Sequence, residues 1–410
     1  MTAVRIHGIA TGGEGVGRLP DGVTVFVPRT APGDLVEVDV TERRPRWARG
    51  RLRILVESSG LRIAPSCPHY EADACGGCQL QHLAPEAQRA AKSTIVRDVI
   101  ERVGRRPLDL PAVVPAPAPW RYRTKITLAV AEGAVRLGFH RYDQPGSVFD
   151  LEDCPIAAAP LMELLRGVRA ARARLPRGAA QVVLRLDRAG RGHVLVVGGD
   201  PPWDAAALVA AFPDPVPAVW WKPADGAVRA MAGTESAFPV LAFQQVNPVL
   251  ADRIRHDAAA WLEGAGGAVA WDLYGGVGDG ARLLAAAGAT VWSVDADRSA
   301  TAWAERQPVP DGTPPTYITG RVEEVLHRLP DPELVLLNPP RAGAGRRVTQ
   351  ALDRLGQASR VRRLAYVSCD PATLARDLTR LPAYQLRRVV AYDLFPQTAH
   401  VEVLALLEAA

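Results

Sequence analysis

The sequence predicts an α/β protein in three parts: a small N-terminal β-barrel over residues 1–58, an α+β middle part over 59–235, and a mostly parallel, doubly wound sheet over 236–410. Three observations carry that reading. The first 58 residues alternate apolar and polar positions between Gly, Pro and Asp turns. From about residue 240 the pattern becomes strand, loop, helix, repeated, which a parallel sheet requires. Between them, three of the five cysteines fall within twelve positions, at 67, 75 and 78.

Bulk composition agrees with a globular protein of two or three cores. The chain has 410 residues and 48% apolar content, which excludes wholesale disorder. No apolar run is long enough for a membrane span, and the first residues lack a signal-peptide core, so a cytoplasmic location is expected. The formal charge of +5 permits a polyanionic partner without demanding one. Lysine occurs only at Lys92, Lys125 and Lys222, so nearly all positive charge is guanidinium, which grips phosphates in pairs.

In the barrel, strands are expected at residues 4–9, 15–19, 23–27, 35–40 and 47–56. Arg43, Arg44, Arg46, Arg49, Arg51 and Arg53 surround Trp47 there, a basic and aromatic mixture suited to an OB-like nucleic-acid surface. Gly12-Gly13-Glu14-Gly15-Val16-Gly17 opens a strand, not a helix, so no dinucleotide loop is expected at that point. A helix is expected at 85–103, and the proline-rich run 111–119 reads as a linker or crossing strand. Strands at 122–130, 135–139, 182–186 and 193–197, with a helix at 158–174, make up the middle part. In the last part strands at 268–273, 290–294, 333–337 and 363–367 end at chemically active residues. The final two strands, 384–394 and 400–407, have no long helix between them and predict an antiparallel edge.

Cys67, Cys75, Gly76, Gly77 and Cys78, followed by Cys154, resemble a metal site: Cys-x-x-Cys puts two thiolates on one turn. Four thiolates suit zinc or an iron–sulfur cluster, and the spacing does not choose. An odd cysteine count in a chain without an export signal argues against a disulfide framework.

Ligands of a doubly wound sheet collect at the carboxyl ends of its strands. Asp272-Leu273-Tyr274-Gly275-Gly276-Val277-Gly278-Asp279 and Asp295 lie there, the latter placed to accept ribose hydroxyls. Asp279 would repel a dinucleotide pyrophosphate, whereas S-adenosylmethionine carries no phosphate and is cationic. Cys369 is the one cysteine outside the clustered set, and Glu402 is a lone acid in an apolar strand. A thiol that adds to C6 of a pyrimidine creates a C5 nucleophile, and a carboxylate must then remove the C5 proton. Cys369 and Glu402 fit those two roles, and burial would raise the carboxyl's pKa.

In order along the chain, Cys67…Cys75-Gly76-Gly77-Cys78-Gln79-Leu80-Gln81-His82, Phe243-Gln244-Gln245-Val246-Asn247, the glycine loop, Asn338-Pro339-Pro340-Arg341, Ser368-Cys369-Asp370-Pro371 and the 395–402 segment resemble the RNA uracil-5-methyltransferase family. That resemblance implies a TRAM barrel and a Rossmann-like methyltransferase domain. It implies methyl transfer from S-adenosylmethionine to C5 of a uridine in structured RNA (rRNA or tRNA), by a monomer with no membrane association. Cys369 would be the nucleophile and Glu402 the base. Gln245, Tyr274, Asp279, Asp295 and Asn338 would contact the cofactor, and Cys67, Cys75, Cys78 and Cys154 would ligate a [4Fe-4S] cluster. Three departures stand out: the first cysteine spacing is seven residues rather than five, Asn338 replaces a common aspartate, and Gly275 replaces a frequent cysteine, a change expected only to loosen packing. The competing readings are a nicotinamide-dependent oxidoreductase with structural zinc and a non-catalytic RNA-binding protein.

Overall fold

The computed structural model describes residues 2–131, 136–262, 266–309 and 312–410. Val135, the expected start of one strand, lies outside them. Five strands, β1 (Thr2–Ile9), β2 (Gly15–Arg18), β3 (Thr24–Val27), β4 (Leu35–Arg43) and β5 (Trp47–Glu57), close a barrel in the order β1-β2-β3-β5-β4. Its interior is small and aliphatic: Val4, Ile6, Val25, Val27, Val36 and Val38. A Cβ at Gly50 would collide with Val38, so the β4–β5 approach admits only glycine there. The period-two alternation turns Arg49, Arg51 and Arg53 outward while Ala48 and Gly50 face in, and all six arginines of the hairpin are exposed.

Beyond the barrel, β6 (Val113–Val114) precedes a seven-stranded middle sheet. That sheet contains β7 (Lys125–Ala131), β8 (Arg136–His140), β9 (Val148–Asp150), β10 (Ala179–Leu186), β11 (Gly192–Gly198), β12 (Ala218–Lys222) and β13 (Arg229–Gly233). Its order is β13-β12-β11-β10-β7-β8-β9, antiparallel except where β11 pairs with β12. The helix Ala159–Ala170 packs on one face, burying Leu161, Leu165 and Val168. β9, β12 and β13 carry no clear alternation in sequence. β12 is the run Ala-Val-Trp-Trp-Lys, buried over its first four residues, which conceals a period of two.

The C-terminal sheet holds β14 (Val269–Leu273), β15 (Thr290–Asp295), β16 (Thr316–Thr319), β17 (Leu334–Leu337), β18 (Arg363–Ser368), β19 (Tyr384–Tyr392) and β20 (Glu402–Ala409), with β6 added at one edge. The order is β16-β15-β14-β17-β18-β20-β19-β6. β14 to β18 are parallel to their neighbours, and β20 runs antiparallel between β18 and β19. Apolar clusters cover both faces, as continuous hydrophobic strands require. The helix Pro85–Arg102 buries Val96 and Ile100 in one of these clusters, so it packs on the C-terminal sheet although it precedes the middle one in sequence. The proline-rich run contributes β6 to the same sheet through Val113 and Val114 beside Ala391 and Tyr392. No helix among the described residues is long and apolar enough to cross a membrane.

Candidate active site

Two cavities meet at one wall. The smaller, about 90 Å³, lies at the carboxyl ends of β14 and β17 and is lined by Gln245, Tyr274, Gly275, Gly276, Val277, Asp279 and Asn338. β14 runs into Tyr274 at φ 62°, and Gly278 at φ 78° caps the helix Asp279–Ala286. A Cβ on Gly278 would lie 2.7 Å from the Tyr317 hydroxyl and 2.9 Å from the Ala304 Cβ, so both conformation and space call for glycine. Gly275 is equally constrained: a Cβ there would collide with the Ser293 hydroxyl and lie 2.5 Å from Asp272 Oδ2. The expectation that this glycine merely loosens packing is therefore corrected, because Ser293 fills the space. Its hydroxyl donates to Asp272 Oδ2 at 3.1 Å. Burial raises the fully enclosed Asp272 carboxyl to about 6, with Ser293 pulling the other way.

Four of the five expected cofactor residues line this cavity; Asp295 does not. Its Oδ2 accepts from Gly276 N and its Oδ1 from Asp297 N, both at 2.8 Å, so it braces the glycine loop. The Tyr274 hydroxyl donates to Glu323 at 3.2 Å. Asp279 is ringed by guanidinium groups: Arg282 at 2.6 Å, Arg188 at 2.7 Å and Arg255 at 3.6 Å. Asp279 is therefore not an uncompensated negative charge facing a pyrophosphate, since three guanidinium groups surround it and the Asp252 carboxylate that shares Arg188 and Arg255.

The larger cavity, about 550 Å³, is lined by Cys369, Arg341, His400, Lys125, Phe243 and Gln245 together with Cys67, Cys75, Cys78 and Cys154. β18 and β20 pair Ser368 with Val403, and continuing that antiparallel register sets Cys369 opposite Glu402. Cys369 follows β18 and precedes Asp370, whose Oδ1 caps the helix Pro371–Leu378 by accepting from Ala372 N (2.9 Å) and Thr373 N (3.0 Å). Glu402 is 1% exposed. Its Oε1 accepts from Gln245 Nε2 at 3.2 Å, and its buried Oε2 has no partner among the described residues. Burial lifts this carboxyl to about 8, against the Gln245 hydrogen bond. Burial also pushes the Cys369 thiol up to about 11; the Glu402 charge adds to the shift and Arg341 opposes it. Arg341, exposed and 3.2 Å from His400 Nδ1, is the charged neighbour that residue-by-residue reading omitted, although its Asn-Pro-Pro-Arg motif was visible.

The segment leading to Glu402 is held from outside its own sheet. Tyr122 Oη donates to Pro396 O (2.9 Å), Leu80 N to Gln397 O (2.9 Å), Gln397 N to Gln88 Oε1 (2.9 Å) and Ala399 N to Gln79 Oε1 (3.3 Å). Buried Lys92 bridges Asp393 Oδ1 (2.5 Å) and Phe395 O (3.0 Å). Gln79 and Leu80 directly follow Cys78, so the cysteine loop and this segment are one packed unit.

Cys67, Cys75, Cys78 and Cys154 all carry free thiols. Burial raises Cys78 to about 12 and Cys154 to about 11, and the neighbouring cysteines add to both shifts, as close thiols do. Among the described residues no three His, Cys, Asp or Glu side chains converge closely enough to hold a single ion. All four thiols line the larger cavity.

Comparison with known proteins follows the same outline. Residues 2–52 match the TRAM domain and residues 322–410 match the family described as tRNA (Uracil-5-)-methyltransferase. The chain is 34% identical to the 23S rRNA (uracil(1939)-C(5))-methyltransferase of Halomonas elongata, over 98% of this chain and 88% of that protein. It is 33% identical to an uncharacterized RNA methyltransferase of Thermosynechococcus vestitus, over 98% and 97% of the two. Among solved structures it is similar to the Pyrococcus abyssi tRNA (uracil-54, C5)-methyltransferase in complex with S-adenosyl-L-homocysteine. That likeness has a TM-score of 0.75 and 25% identity, covering 99% of this chain and 100% of that one. With a TRAM barrel at its N-terminus and a match to these enzymes along nearly its whole length, the chain belongs to the RNA uracil-5-methyltransferase family.

Proposed function

We propose that this protein methylates C5 of a uridine in structured RNA, with Cys369 bonding transiently to C6 of the ring. The observation that carries this reading is the placement of Cys369, just past β18, opposite Glu402 at the start of the adjacent antiparallel β20, with Cys369 lining a cavity whose wall is shared with the glycine-loop cleft. S-adenosylmethionine supplies the electrophilic methyl group; Gln245, Tyr274, Asp279 and Asn338 line its cleft, with Asp295 bracing the loop. Cys369 adds to C6 once its proton has left, and the Arg341 charge favours the thiolate. Glu402 takes the C5 proton after methylation, which lets the sulfur depart. A carboxyl with a pKa near 8, one oxygen unpartnered, is poised for that step.

The rRNA and tRNA specificities of the relatives make either RNA class the substrate. Six exposed arginines on the barrel hairpin supply phosphate contacts and Trp47 a stacking face. The three units, 1–58, 59–235 and 236–410, then divide RNA holding, thiol-site support and methyl transfer in a cytoplasmic monomer.

Cys67, Cys75, Cys78 and Cys154 are assigned to a [4Fe-4S] cluster. Four reduced thiols lining one cavity, beside Gly76 and Gly77, form an all-sulfur donor set of the kind such a cluster takes. When bound, the group supplies a rigid crosslink of the 67–78 loop to Cys154. Anaerobically purified protein is expected to contain about four iron atoms per chain; zinc in their place contradicts the assignment.

Function is tested by transfer of labelled methyl groups from S-adenosylmethionine to RNA, followed by nucleoside analysis. 5-Methyluridine made by the wild type and not by Cys369→Ala is the expected result. Turnover retained in Cys369→Ala contradicts the covalent route.

A further inference from the structure

β10 ends in Val182-Val183-Leu184-Arg185-Leu186, all buried, and Arg185 is 2% exposed. An arginine in such a strand is an anomaly. Burying a guanidinium is unfavourable unless every donor is used, and a leucine would fill much of the volume without that penalty. Among the described residues no carboxylate forms an ion pair with it. Its partners are instead three acceptors on the irregular segment between β13 and the helix Pro248–Trp261. Nη1 donates to Val240 O (2.8 Å) and Ala242 O (2.6 Å), and Nη2 to Gln244 Oε1 (2.9 Å). The Phe238 ring covers the guanidinium at 4.7 Å. A second clamp follows: Thr124 donates to Val246 O through N (2.8 Å) and Oγ1 (3.1 Å). Between these clamps lie Phe243, Gln244 and Gln245, which line both cavities, and Gln245 holds Glu402.

We propose that Arg185 is a positioning residue: from the middle sheet it fixes the wall between the cofactor cleft and the thiol cavity, and through Gln245 it sets the environment of the Glu402 carboxyl. The proposal rests on the function given above. Its physical basis is that an irregular loop has no ladder of its own, so its carbonyls need external donors. The planar fork of arginine reaches several at once, which lysine cannot do. Once Arg185 is lost, the wall slackens and the Gln245 hydrogen bond, which favours the charged carboxylate, weakens.

The test uses the full chain with its metal site loaded. S-adenosylhomocysteine affinity is measured by calorimetry and the pH–rate profile by methyl transfer, for wild type, Arg185→Met, Arg185→Lys and Gln244→Ala. Arg185→Met is expected to weaken S-adenosylhomocysteine about tenfold and to move the acid limb upward by about half a unit to one unit. Gln245→Leu alone is expected to move that limb at least as far, and Gln245→Leu combined with Arg185→Met no further than Gln245→Leu alone, because both act on one hydrogen bond. Arg185→Lys is expected to resemble Arg185→Met, and Gln244→Ala to shift both readouts in the same direction by less. A folded Arg185→Met with wild-type affinity and an unmoved limb overturns the proposal, as does an additive double variant. If Arg185→Met does not fold, an unshifted Gln244→Ala overturns it. A wild type that makes no 5-methyluridine contradicts the proposed function instead, while the affinity measurement still reports on the wall.

Discussion

The two cavities share a wall but handle buried charge in opposite ways. At the glycine-loop cleft the acids are surrounded: Asp279, in its lining, faces three arginines, and Asp295, outside that lining, spends both oxygens on backbone N–H groups. Such groups hold shape and have little left to react with. Opposite Cys369 of the thiol cavity, Glu402 has one weak partner and an oxygen with none among the described residues, and its pKa rises to about 8. Paired charges act as scaffolding here, and the under-partnered one is the base in the function proposed above.

The largest effect that sharpens this contrast comes from the paired side. Asp279→Asn leaves Arg282 without its carboxylate and Arg188 and Arg255 sharing Asp252 alone, and about 2 kcal/mol of stability should be lost, read by denaturant unfolding. An unchanged midpoint would mean that solvent already screens the ring. On the other side the sign reverses. The native pKa of Glu402 lies above its ordinary value of 4.5, so the native state holds the proton more tightly than the unfolded chain. Wild-type stability should therefore fall as pH rises from about 4.5 to about 8. Glu402→Gln removes the Glu402 share of that slope, leaving that of Asp272, and should be more stable than wild type at pH 8 by on the order of 2 kcal/mol. Parallel slopes for the two proteins would show that the carboxyl is not enclosed.

A smaller effect probes the turn that follows Asn338 and Arg341. The Tyr366 hydroxyl donates to Asp377 Oδ2 at 2.7 Å, and the same oxygen accepts from Ala344 N at 2.7 Å beyond the Asn-Pro-Pro-Arg turn. Tyr366→Phe removes one of these bonds and should lower stability by about 1 kcal/mol with methyl transfer nearly intact. A large loss of transfer would place this turn nearer the chemistry.

Legibility in the sequence follows locality. The glycine loop, the helix after it and the Ser368-Cys369-Asp370-Pro371 turn were readable because strand, turn and cap occupy one short stretch each. Glu402 stood out because a carboxylate in a buried apolar strand breaks the pattern. The arginines around Asp279 were not readable: Arg188 comes from a turn of the middle sheet and Arg255 from a separate helix. The Gln245–Glu402 bond spans 157 positions and leaves no local trace. Gly275 was misjudged for the same reason, since the Ser293 hydroxyl that fills its space belongs to the neighbouring strand. The helix Pro85–Arg102 was expected and found, but its docking on the C-terminal sheet depends on partners about 270 residues away, such as Leu374.

The most direct test of the central claim is covalent capture. Glu402→Gln, incubated with substrate RNA and S-adenosylmethionine and then denatured, should migrate with RNA attached, because Cys369 cannot leave C6 while the C5 proton remains. The same variant carrying Cys369→Ala should show none. Only free RNA from denatured Glu402→Gln, under conditions where the wild type methylates, would contradict the account.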